Sequence, residues 1–283
     1  MNLRLTECPR DAMQGWHRII PSEEKTAYLN QLLKVGFDTL DFGSFVSPKA
    51  IPQMADTAEV LAGLDLSATN TKLLAIVANH RGAADAVKHA PIHYLGFPFS
   101  ISETFQQRNT NSSIAASVDT VKAVQELCVK HHKELLIYIS MGFGNPYGDP
   151  YSPEIAAETI ATLSALGVRI FALSDTVGVA DPCSIRAMFS GLRASFPTLE
   201  FGAHLHSTPE TAAAKIEAAL DSGCLRFDSA LNGIGGCPMA QNDMVGNLAT
   251  EIALPVFKRR GFNLDLNEAA LQQSLQMAAH LFT

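Results

Sequence analysis

Short apolar runs alternate along this chain with longer stretches whose apolar positions recur at helical spacing. The runs predict strands at Leu3–Glu7, Phe37–Phe42, Lys72–Ala78, Ile92–Phe97, Glu134–Ser140, Val168–Ser174, Leu199–His206 and Leu225–Leu231. Between them, amphipathic helices are predicted at Glu23–Val35, Ile114–His131, Pro153–Leu166, Pro182–Phe196 and Pro209–Ser222. Ser47-Pro48, Ser152-Pro153, Asp181-Pro182 and Thr208-Pro209 each put a capping side chain ahead of a proline, a helix-start signal. Gly36, Gly167 and Gly223 mark helix ends just before the next strand. Strand and helix alternate without a break, which predicts an α/β fold, a (β/α)8 TIM barrel, as one domain over residues 1–283. Its core spans about residues 3–260, and a last helix at Asn267–Leu281 packs outside. An open doubly wound sheet is the alternative, but no GxGxxG or Walker motif supports a nucleotide-binding version.

Composition narrows the function classes. A net charge of −7 and a pI near 5.7 argue against a general nucleic-acid or membrane-surface binder, without excluding an anionic small molecule held by local groups. No apolar run reaches the ~20 residues of a membrane span. A strand almost at the first residue leaves no room for a leader, and five cysteines without a CxxC pair suit a reducing cytoplasm.

A barrel of this kind carries its chemistry where the strands end. The seventh predicted strand ends in His204-Leu205-His206, and residues two apart on a strand face the same way. Both imidazoles can then serve one divalent cation, where the bland reading is two ordinary polar histidines. After the first strand comes Pro9-Arg10-Asp11-Ala12-Met13-Gln14. Asp11 can complete a two-histidine, one-carboxylate site suited to Mg²⁺, Mn²⁺ or Zn²⁺, and Arg10 can hold an oxyanion or a substrate carboxylate. A structural Arg–Asp turn is the competing reading. Asp41 and Ser44, Asn79 and Arg81, Ser140, and Asp175-Thr176 add polar groups at the same rim. After the last strand, Gly233-Ile234-Gly235-Gly236-Cys237 reads as a glycine-rich lid with a thiol able to move a proton. Asn247 can add an oxygen ligand and Glu251 can support it; an ordinary helix start is the alternative.

Together these segments resemble the hydroxymethylglutaryl-CoA lyase family, in the superfamily of metal-dependent barrels that also holds isopropylmalate and homocitrate synthases. The matching stretches are PRDAMQ, SFVSPK with PQM, SDTVGV, HLH, GIGGCP and GNLATE, spread from about Leu3 to Glu251. The resemblance implies metal-assisted retro-Claisen cleavage of 3-hydroxy-3-methylglutaryl-CoA to acetyl-CoA and acetoacetate. It implies Asp11, His204, His206 and Asn247 as ligands of a divalent metal, Mg²⁺ or Mn²⁺, with Zn²⁺ or Co²⁺ as alternatives. Arg10, Asp11, Cys237 and Glu251 become the catalytic set. Gln14, Asp41, Ser44, Tyr138, Ser140, Asp175 and Thr176 line the substrate pocket, and Lys49 and Arg81 meet the CoA phosphates. It further implies an acyl-CoA substrate, no nucleic-acid or membrane partner, a homodimer, a cytoplasmic setting and a place in leucine degradation. Another 3-hydroxyacyl-CoA as substrate, or a silent CoA- or metal-binding barrel, are the competing readings. Departures cluster near the site: Asp41 replaces the family's usual Glu, and Ser207-Thr208-Pro209 replaces Asp-Thr-Tyr. Met239 replaces a common Tyr, Met141 and Asn145 replace cysteines, and Asn232 replaces a small residue.

Overall fold

Each of the eight strands pairs in parallel with the next, and the eighth returns to the first, so the sheet closes into a barrel. The computed structural model describes residues 2–236 and 245–283. The strands are β1 Arg4–Glu7, β2 Thr39–Ser44, β3 Lys72–Ile76, β4 Ile92–Ser100, β5 Glu134–Ser140, β6 Ile170–Asp175, β7 Glu200–Leu205 and β8 Arg226–Ser229. The helices are α1 Pro9–Gln14, α2 Ser22–Leu33, α3 Thr57–Ala62, α4 His80–Ala86, α5 Glu103–Thr110, α6 Ile114–Lys130, α7 Pro153–Ala165, α8 Pro182–Ser195, α9 Pro209–Asp221, α10 Thr250–Arg259 and α11 Glu268–Leu281. Closure is made by the β1–β8 register, Arg4 opposite Arg226 through Glu7 opposite Ser229.

Local sequence explains where the elements begin. Ser152 and Asp181 accept backbone N–H bonds at the starts of α7 and α8, each followed by a proline that lacks the orphan donor. Thr208 and Thr211 form the reciprocal arrangement at the start of α9. Ser47-Pro48 is a correction: it opens a turn, closed by Ala50 N–H to the Ser47 carbonyl, and not a helix. The helices α4 and α5 were outside the sequence expectation; α5 reads ETFQQRNT, with little apolar stripe, and is held by its Ser102 cap.

Two apolar layers follow from the closed sheet. Inside lie Leu74, Ile76, Tyr94, Leu136, Tyr138, Ile170 and Ala172. Outside, the far larger core fills the space between strands and helices, with Phe42, Phe97, Phe171 and Phe227 among its buried rings. The last helix docks on α2: Gln31 donates to the Ala270 carbonyl, and Phe282 meets the rings of Trp16 and Tyr28 edge-on. Among the described residues, no helix is long and apolar enough to cross a membrane.

Candidate active site

His204 lies on β7 and His206 one residue beyond it, where it bridges to Asn247 on the segment returning to the barrel. The strand thus ends one residue earlier than expected, but the two rings still stand together, centroids 5.5 Å apart. Asp11 reaches them from α1, and donor atoms of Asp11, His204 and His206 all lie within 4.8 Å of one another. Asn247 completes the group, its amide donating to Asp11 Oδ2 at 2.7 Å and to the Ile234 carbonyl at 3.0 Å. Gly235 passes directly over this contact with φ +104°, and a Cβ there would stand 2.6 Å from Asn247 Nδ2, so only glycine fits.

Both imidazoles are held so that Nε2 is the free nitrogen. His204 Nδ1–H donates to Asp228 Oδ2 at 3.0 Å, and His206 Nδ1–H donates to the Thr176 carbonyl at 3.1 Å. His206 Nε2 is buried with no hydrogen-bond partner. A lone pair in that condition is costly unless a cation or donor takes it. Burial, then the neighbouring His204, lowers the His206 pKa to about 4, so the ring is neutral, as a ligand must be. Burial opposes protonation of His204, but the hydrogen bond and charge of Asp228, with Asp11, outweigh it and raise that pKa. The same carboxylate makes His204 a stronger donor at Nε2. Burial also opposes ionisation of Asp11, yet Arg10, the histidines and the Asn247 amide hold its pKa below the ordinary carboxylate value. One carboxylate, two neutral-capable imidazoles with Nε2 free and an amide therefore fit a divalent cation.

Arg10 is locked beside them. Its Nε and Nη2 donate to Asp41, Nη2 at 2.5 Å, and its Nη1 donates to Asp11 Oδ1 at 2.9 Å. That uses three of the five guanidinium N–H groups and leaves two for a substrate oxygen. Burial raises the Asp41 pKa to about 6 even against the pull of Arg10. Gln14 donates to Asp11 Oδ1 at 2.8 Å. Tyr138 packs its ring edge-on to His204, centroids 5.3 Å apart, and its hydroxyl is buried without a partner. Ser140 is buried at the end of β5, and the Thr176 hydroxyl is spent on the Met141 N–H.

Other expected residues stand apart from this cluster. Asp175 is consumed by Lys215 Nζ at 2.7 Å and by the Ala180 N–H. Ser44 Oγ donates to the Ile76 carbonyl and accepts from the Val46 N–H. Glu251 is exposed at the start of α10, where it accepts the Asn232 N–H at 3.1 Å. Lys49 and Arg81 are exposed. Cys237 and Met239 lie outside the described residues.

Three working residues were not picked from sequence. Asp228 orients His204; its signal was a charge two residues from Arg226 in an otherwise apolar run. Lys215 holds Asp175 and also the His206 carbonyl at 2.7 Å; its signal was a lysine in the apolar stripe of α9. Glu7 lies beneath the rim, accepting from the Leu231 N–H and the Thr250 hydroxyl, and burial raises its pKa to about 8. The unfolded chain ionises this group near 4.5, so the folded state binds the proton more tightly. Its stabilising contribution is whole below about pH 4.5 and is lost as pH rises toward 8. Glu7→Gln can accept from the Leu231 N–H through its carbonyl and donate its amide N–H to the Thr250 hydroxyl, and should flatten the fall in Tm between pH 5 and 8; near pH 7 it should stabilise by on the order of 3 kcal/mol. Thermal melts across that range, with a parallel slope in both proteins, would refute the assignment.

Two cavities, of about 520 and 380 Å³, open at the opposite end of the barrel, lined by strand starts such as Lys72, Ile92 and Glu134, or Arg4, Glu200 and Arg226. Neither is lined by a member of the Asp11–His204–His206 cluster.

Comparison with known proteins matches nearly the whole chain. The HMGL-like family model matches residues 5–278. A hydroxymethylglutaryl-CoA lyase of Bacillus subtilis is 34% identical over 243 residues, 86% of this chain and 80% of the relative. A 3-hydroxy-3-isohexenylglutaryl-CoA/hydroxymethylglutaryl-CoA lyase of Pseudomonas aeruginosa is 34% identical over 253 residues, 89% of this chain and 83% of the relative. Among solved structures, an HMG-CoA lyase from Acinetobacter baumannii in complex with coenzyme A and 3-methylmalate superposes with a TM-score of 0.91 at 28% identity, covering 99% of this chain and 91% of that one.

Proposed function

The chain belongs to the HMGL-like family, and on that premise we propose that it is a carbon–carbon lyase cleaving 3-hydroxy-3-methylglutaryl-CoA to acetyl-CoA and acetoacetate. The observation that carries the reading is the buried, unpartnered Nε2 of His206 facing Asp11 and His204 at the C-terminal rim. Asp11, His204, His206 and Asn247 would hold a divalent cation, which when bound supplies Lewis acidity at the tertiary hydroxyl and an adjacent carboxylate oxygen of the substrate. The carboxylate and amide oxygens suit Mg²⁺ or Mn²⁺, and the two imidazoles also admit Zn²⁺ or Co²⁺. Arg10 turns its two spare N–H groups to the thioester oxygen, where negative charge gathers as the carbon–carbon bond breaks. A base takes the hydroxyl proton, the carbon–carbon bond breaks and acetoacetate departs, and the acetyl-CoA enolate takes a proton from the Cys237 thiol, whose thiolate regains one from solvent. Lys49 and Arg81, both exposed, would meet the CoA phosphates. The proposal extends to leucine breakdown and to the cytoplasm, the latter in keeping with the described cysteines, all of them free.

If Cys237 donates that proton, Cys237→Ser should lower kcat by about 10²-fold and change KM modestly, the usual scale for lost acid–base help. A serine variant with near-native kcat would mark the thiol as incidental.

A second reading concerns the acyl group. Asp41 is drawn wholly onto Arg10, and His206 is oriented by a backbone carbonyl where the family offers a carboxylate after the histidine pair. The Pseudomonas relative is named for a larger isohexenyl compound as well as the methyl one. The test of both readings is one assay: purified protein with Mg²⁺ or Mn²⁺ and a panel of 3-hydroxyacyl-CoAs. Released acetyl-CoA is expected, with kcat/KM for a longer 3-alkyl analogue matching or exceeding that for the methylglutaryl compound. A preference of more than about tenfold for methylglutaryl-CoA, near 1.4 kcal/mol, leaves the plain lyase reading alone standing. No acetyl-CoA from any compound removes both.

A further inference from the structure

We propose that the barrel interior carries a second metal site behind the first, selective for soft or borderline divalent cations such as Zn²⁺ and Cd²⁺, and built from Cys8, His204 and Asp228. Donor atoms of these three residues lie within 4.8 Å of one another. All are enclosed: Cys8 is 1% and Asp228 5% exposed, and the His204 side chain 12%. They come from three adjoining elements, the turn between β1 and α1, β7, and β8, so closure of the barrel sets their spacing. The Cys8 N–H donates to the Ser229 carbonyl at 2.8 Å, and Asp228 is the residue before it. The chain therefore holds the thiol and the carboxylate in register before any ligand arrives.

The donor chemistry separates the two sites. Thiolate, imidazole and carboxylate together suit Zn²⁺ or Cd²⁺, while Mg²⁺ and Mn²⁺ avoid sulfur and stay with Asp11, His206 and Asn247. Bringing the donors to tetrahedral edges asks for a contraction of roughly 1 Å. His204 is common to both groups, its Nδ1 turned to Asp228 and its Nε2 free. A cation in the rear site displaces the thiol proton to solvent, moves the imidazole proton from Nδ1 to Nε2 and takes over the nitrogen now bonded to Asp228. Nearby, the Tyr138 hydroxyl, on a side chain packed against His204, is buried without a partner. The rear site is independent of the acyl group, and it is read without turnover.

Cadmium alone is the probe, added to the full chain freed of metal and then supplied with excess Mg²⁺. The ultraviolet cadmium–thiolate charge-transfer band should rise to one thiolate per chain and vanish in Cys8→Ala. Asp228→Asn should need at least tenfold more cadmium to reach the same band. Cys183→Ala, at an exposed cysteine, and Cys237→Ala should keep it. Should the Cys8 variant not fold, cadmium NMR of the wild-type chain, read for one thiolate ligand, together with Asp228→Asn, decides the matter. No band in the wild type, a band surviving in Cys8→Ala, or an unchanged titration in Asp228→Asn overturns the site.

Discussion

Arg10→Lys is expected to lower kcat by roughly 10²–10³-fold, the scale of removing one well-placed donor to a developing oxyanion. Lysine keeps the charge and loses the fork. The arginine ties Asp41 through Nε and Nη2 and Asp11 through Nη1, and still has two N–H groups to offer. An ammonium cannot reach both carboxylates and the substrate at once. Burial works against charge on Arg10, but Asp41 and Asp11 outweigh it, so its pKa lies above the ordinary guanidinium value and the group stays cationic at any working pH. The competing account, a merely structural Arg–Asp pair, predicts a lower Tm with kcat preserved in the folded fraction. Steady-state kinetics beside a thermal melt separates the two, and a kcat within a few-fold of wild type would remove Arg10 from the chemistry.

His206→Ala should weaken divalent-metal binding by at least about tenfold, and chelation followed by add-back should abolish and restore turnover in the parent enzyme. The ring is neutral, its Nδ1–H is fixed on the Thr176 carbonyl, and its Nε2 has nothing else to bind. Removing it strips one ligand without disturbing the carbonyl of residue 206, which Lys215 grips through the backbone. Calorimetric titration with Mn²⁺ reads the loss directly, whatever the substrate. Equal affinity in the variant, or full activity in metal-free enzyme, would end the assignment.

The barrel was legible from the chain because its signals are local. Strand alternation, helical periodicity, a serine or aspartate before proline and a glycine after several helices are properties of a few neighbouring residues. The position of His204 and His206 at a strand end also follows locally, since two residues apart on a strand means one face. Where a local signal is weak, as in the polar α5, or double-edged, as at Ser47-Pro48, the reading failed.

Which carboxylate serves which partner was decided only by closure of the sheet. Asp228 reaches His204 because β8 lies beside β7, across 24 residues of sequence, and Glu7 meets Thr250 across 243. Asp41 could be read as a pocket residue, but only the folded barrel shows its carboxylate turned onto Arg10. Glu251, four residues from Asn247, reads by spacing as its support; the first turn of α10 carries it to the surface, where it accepts the Asn232 N–H. Spacing along the chain names the residue types near a rim, whereas pairing, burial and the tautomer of each histidine depend on neighbours that meet only in three dimensions.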